Sequence, residues 1–147
     1  MTVGRVIVTL YLLASTNGLC PHFATCVVGK ESDYRMYARG RAGEIGAGQL
    51  LPETAVFLAE EANADPDWLH KVPMPPDPTD LYTNLTLTVY GLIHYPQWWT
   101  TVPLCIEEES YVPHRDLRHR FSGLLRRAGR VGPGAGRHDS VAEAVGC

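Results

Sequence analysis

Between Leu81 and Tyr90 the chain alternates. Leu81, Leu85, Leu87 and Val89 take odd positions, and Tyr82, Asn84, Thr86, Thr88 and Tyr90 take even ones. Side chains of a strand face opposite sides in turn, so this spacing predicts a strand with one apolar and one polar face. A strand of that kind belongs in an antiparallel sheet with one face on a core. Gly91 marks a bulge, beyond which Leu92–Tyr95 continues. Trp98–Ile106 reads as the partner strand, with Pro103 at an edge or bend.

Other stretches give weaker patterns. Residues 19–30 read as extended. Asp33–Ala38 places Tyr34, Met36 and Ala38 on one face of a short strand. Four glycines within residues 39–48 make ordering unfavourable, which predicts a loop. Pro52–Ala62 predicts a helix: Pro52 suits its first position, Glu53 suits its positive end, and Ala55, Leu58, Ala59 and Ala62 form one stripe. Asp65–Pro66–Asp67 is a turn. Four prolines in residues 73–80 predict a stiff, extended spacer. Residues 114–128 repeat Leu117, Phe121, Leu124, Leu125 and Ala128 at spacings of three and four among arginines, an amphipathic basic helix. Residues 129–147 are Gly-rich and read as a disordered tail. These elements predict a small α+β fold: an antiparallel sheet centred on residues 81–106 with one or two helices.

The N-terminus changes the picture from architecture to compartment. Arg5 precedes the apolar run Val6–Ala14, and Ser15, Thr16, Asn17 and Gly18 follow. A basic start, a short apolar centre and a small-residue exit predict a secretory signal peptide over residues 1–18. The run is too short to span a bilayer, which takes about 20 apolar residues. A buried N-terminal strand is the competing expectation. Export would carry Cys20, Cys26, Cys105 and Cys147 into an oxidising compartment, where an even count implies up to two disulfides. Cys105 is expected to pair with Cys26 or Cys20. Closing such a loop of about 80 residues contributes roughly 4 kcal/mol by chain entropy. Cys147 is left to pair internally, stay free or bridge to another chain.

Charge divides the 147 residues further. The net charge is −3. Residues 19–110 carry 13 acidic and 5 basic side chains, whereas residues 111–147 carry 3 and 7. The expected organisation is therefore a leader (1–18), an acidic globular domain (19–110), a basic helix (111–128) and a tail (129–147). The basic helix is expected to dock on the acidic body, with an anionic membrane surface as its other candidate partner and nucleic acid ranked last.

Candidate chemistry is sparse. Asn84–Leu85–Thr86 is an N-glycosylation acceptor, and the strand pattern puts Asn84 on the wet face. Tyr90, Tyr95, Trp98 and Trp99 form an aromatic cluster. Adjacent strand residues face opposite ways, so one tryptophan is expected inward and the other outward, as an anchor for a protein partner. Cys20–Pro21–His22 with Cys26 resembles part of a zinc site, but disulfides account for the cysteines more simply. His114–Arg115–Asp116–Leu117 starts like a kinase catalytic loop and then departs from it, since no Asn follows at the required place. A Cys–His pair drawn from Cys20 or Cys26 with His94 rests on no spacing argument. Glu107–Glu109 reads as a solvated turn. An immunoglobulin sandwich is disfavoured, because the Trp after the first Cys and the Tyr before the second are missing. No cofactor or metal is implied. The leading expectation is a secreted or luminal glycoprotein that binds a protein partner without catalysis, in the manner of a viral accessory or immune-modulating protein. The alternatives are a small secreted hydrolase with an unidentified site and an intracellular protein with a nucleic-acid-binding tail.

Overall fold

The computed structural model describes residues 2–108, and among them the fold is helical. Helix α1 spans Val3–Thr16, α2 Pro21–Ser32, α3 Pro52–Ala64, α4 Leu81–His94 and α5 Val102–Glu108, with a 3₁₀ turn at Pro96–Trp98 before α5. No sheet forms among the described residues. The only β pairing there is two isolated bridges, Arg39 with Ile45 and Ile45 with Leu50, inside the glycine-rich loop. The expected α+β fold with a sheet at 81–106 is therefore wrong, and the reason lies in α4.

Helix α4 runs through the centre. Leu81 and every residue from Thr83 to Ile93 are buried. A helix buried on all sides has no polar face, so the 3.6-residue period that marks a surface helix is missing. The accidental two-residue alternation of Leu and Thr was the only pattern left. The polar positions are accommodated locally: the Thr88 hydroxyl donates to the Asn84 carbonyl one turn back at 2.7 Å. Asp80 caps the helix, its carboxylate accepting from Thr83 N–H at 3.0 Å.

The other expected strands fail for similar reasons. Residues 19–30 enter α2, with Pro21 at its first position and Cys20 as N-cap. Asp33–Ala38 forms turns in which Asp33 and Tyr34 take φ of 55° and 60°. Trp98–Ile106 becomes the 3₁₀ turn and α5, where Pro103 occupies the first helical turn. The predicted helix at 52–62 is present as α3, and its stripe Ala55, Leu58, Ala59 and Ala62 is buried. The loop at 39–48 is present as well. Residues 73–80 lie outside helices, with Met74–Pro75 cis.

Helices α1 and α3 pack on α4, and α2 packs on α1 and α5. Val6, Leu10, Leu13 and Ala14 of α1 enter the core, while Val8, Tyr11 and Leu12 remain exposed. The segment expected to be a leader is thus a packed helix here. No described helix is long and apolar enough to cross a membrane. The basic helix at 114–128, the tail and Cys147 lie outside the described residues.

Candidate active site

Helix α2 carries an apolar stripe that ends on an acid. Ala24, Val27 and Val28 are buried, and Glu31 stands seven, four and three residues beyond them on the same face. Its carboxyl is half-buried in the last turn. Burial raises its pKa above the ordinary value of 4.5, a hydrogen bond from Thr101 opposes the rise, and the negative charge of Glu44 adds to it. Thr101 Oγ1 donates to Glu31 Oε1 at 2.9 Å.

Two devices hold Glu31 against Thr101. Cys26 and Cys105 lie at disulfide distance, with Cα atoms 5.8 Å apart, and tie α2 to α5. Of the two partners expected for Cys105, Cys26 is the one at this distance. At the end of α2 the Tyr34 ring lies over Gly29, and its hydroxyl donates to the Thr25 carbonyl at 2.9 Å. A Cβ on residue 29 would sit 2.6 Å from that hydroxyl, so any side chain there would have to push the Tyr34 ring aside.

Glu31 faces a cleft of about 460 Å³ lined also by Glu44, Gln49, Leu50, Leu51, Thr54, Trp98, Trp99 and Thr100. The lining combines two carboxylates, an amide, hydroxyls and indole rings. Gln49 has φ of 53°, a left-handed backbone uncommon for a side chain of this kind. Its amide nitrogen Nε2 donates to the Gly46 and Ala38 carbonyls at 2.8 and 3.3 Å, which closes the loop on itself. The Glu44 carboxylate accepts from Ala42 N–H at 3.0 Å.

The loop is pinned to the core by Asn84. Its Oδ1 accepts from Gly48 N–H at 2.9 Å, and its Nδ2 donates to Ile45 and Pro78 carbonyls at 3.0 and 2.8 Å. Trp99 Nε1 donates to the Gly48 carbonyl at 3.0 Å, and the far edge of its ring rests on Gly91. Asn84 is 1% exposed. The wet strand face that recommended it for glycosylation does not exist, and a glycan on Nδ2 would replace one of the two hydrogens that make these bonds.

The expected aromatic cluster divides. Tyr90 is buried, its ring 4.9 Å from Trp68 and its hydroxyl donating to Asp65 at 3.2 Å. Burial, then that carboxylate, pushes its pKa well up. Trp99 is 4% exposed and Trp98 44%. One tryptophan faces in and one out, as expected, but a 3₁₀ turn rather than a strand separates them. Tyr95 stacks on Trp98 with ring centres 4.5 Å apart and planes 12° from parallel. Cys26 is joined to Cys105 and Cys20 is wholly buried at the start of α2, so neither serves as a nucleophile with His94. His94 instead packs against the Tyr90 ring and lies 3.9 Å from Asp65. Among the described residues no group of three His, Cys, Asp or Glu side chains is arranged to hold a metal.

Sequence reading missed Glu31, Glu44, Gln49, Thr54 and Thr101. A signal for Glu31 was present, a carboxylate in register with an apolar helical stripe. Comparison with known proteins adds no family: no family model, curated protein or solved structure matches the chain.

Proposed function

We propose that this protein is an enzyme that cleaves glycosidic bonds, with Glu31 as the general acid. The observation that supports it is the placement of a half-buried carboxyl, raised in pKa, at an open cleft lined by indoles and hydrogen-bonding side chains. A carboxylic acid whose pKa is raised keeps its proton to higher pH than a free one, which suits it to protonating an alkoxide leaving group. Sugars match the lining, because their C–H faces pack on aromatic rings and their hydroxyls pair with Thr and Gln. The lining contains no Ser, Cys or His to act as an acyl-transfer nucleophile.

In the reaction Glu31 passes its proton to the glycosidic oxygen as the bond from that oxygen to the anomeric carbon breaks. The positive charge developing on the sugar is stabilised by Glu44, whose negative charge also favours the protonated form of Glu31. Water then adds to the anomeric carbon, and its released proton restores Glu31. This reading takes up the hydrolase alternative from the sequence. The Cys26–Cys105 pair is compatible with action in an oxidising compartment outside the cytosol.

Release of reducing ends from glycol chitin and carboxymethylcellulose tests the reading. Wild type is expected to cleave at least one, and Glu31→Gln to lose about 10²- to 10⁴-fold in rate while melting no lower. Full activity in Glu31→Gln, or none in wild type on a wider panel of polysaccharides, would overturn it.

A further inference from the structure

We infer that Trp98 is a stacking platform for a second sugar unit, so that the substrate is a polymer rather than a short saccharide. This rests on the glycosidase reading. Trp98 lines the Glu31 cleft and is nearly half exposed. Its ring is backed by Tyr95, and Phe57 lies 5.4 Å from Trp98 and 5.5 Å from Tyr95. Three rings from α3 and the α4–α5 connection thus form one apolar surface continuous with the cleft.

The surface is fixed before any ligand arrives. Tyr95 Oη donates to Glu61 Oε1 at 2.8 Å, which anchors the backing ring. Pro96 opens the 3₁₀ turn, and Trp98 N–H donates to the Tyr95 carbonyl at 3.0 Å. The next residue, Trp99, is locked in the core through Gly48. A platform held on both sides loses little conformational freedom on binding. Exposed apolar side chains gathered into one patch, unlike those scattered singly, mark binding surfaces, and Phe57 and Trp98 are exposed side by side. The occupant consistent with the adjoining acid and hydroxyls is a pyranose of the same chain that Glu31 cleaves.

The test uses the full chain with Glu31→Gln, in which turnover is slow enough for binding to be titrated. Calorimetric titration with dimers and hexamers of N-acetylglucosamine and of glucose compares it with the same chain also carrying Trp98→Ala. The parent is expected to bind a hexamer at least about tenfold tighter than the dimer, and Trp98→Ala to remove that advantage. Trp98→Phe should retain most of it and melt close to the parent, and Trp98→Ala, which gives up packing on Tyr95 and Phe57, is titrated at a temperature where it is fully folded. Equal hexamer affinity in Trp98→Ala, or no length dependence in the parent, overturns the platform. Trp98-dependent binding without cleavage by wild type would sink the glycosidase reading alone. Cleavage that depends on Glu31 but not on Trp98 would sink the platform alone.

Discussion

Thr101 donates a hydrogen bond to Glu31 across 70 residues of chain. The bond favours the ionised carboxylate, against burial and the charge of Glu44, which favour the protonated form. Thr101→Val removes only the first influence. The Glu31 pKa should therefore rise, and the alkaline limb of the pH–rate profile should move to higher pH. The profile of kcat/KM against pH checks this, and a limb that stays in place would show that Thr101 does not act on the carboxyl.

Stability should carry the same signature. A carboxyl whose pKa is raised by folding binds its proton more tightly in the native state than in the unfolded one. The native state is favoured below the ordinary value of 4.5 and loses ground as pH climbs from there through the raised folded value. Glu31→Gln never ionises. Its melting temperature should exceed that of wild type at pH 7, and the gap should close toward pH 4. Thermal melts across that range measure it.

Asn84 serves three backbone partners from one side chain. Asn84→Ala leaves Gly48 N–H and the Ile45 and Pro78 carbonyls without it in a buried setting. The expected loss is about 3 kcal/mol, from roughly 1–3 kcal/mol for a buried polar group left unpaired. Denaturant unfolding gives the value, and the loss of loop position should lower the cleavage rate beyond what stability alone explains.

Removing residues 1–18 strips Val6, Leu10 and Leu13 from the core. At about 1.5–3 kcal/mol for each large buried side chain, the loss reaches roughly 5 kcal/mol or more, comparable with the whole stability of a small domain. The truncated chain is expected to melt far below the full one. A truncated chain with unchanged melting, together with a secreted form beginning at Leu19, would make α1 a dispensable leader.

Local signals in the sequence carried part of this. Helix α3 was legible because Pro52 opens it and a single buried stripe repeats along it, with its other faces in solvent. Helix α4 was not, since burial all round erased its period and left a strand-like alternation. Asp80 before Leu81 was the available clue, a capping residue after a proline-rich run. Helix α2 was hidden by its short apolar stripe, although Cys20–Pro21 marks its start. Glu31 could be found only after α2 was known. Glu44 and Gln49 carried no signal at all, because their place depends on a loop pinned by Asn84 and Trp99 from distant parts of the chain.

Helix α4 contributes no side chain to the cleft, yet it governs the cleft's shape. A methyl group on residue 91 would collide with the Trp99 ring, and one on residue 48 would collide with Thr88. Either intrusion would be relayed outward, through the indole to its neighbour Trp98 or through the loop to Gln49 and Glu44. The missing side chains at two glycines thus work as a spacer gauge, and the spacing of the rim is set from the hidden interior.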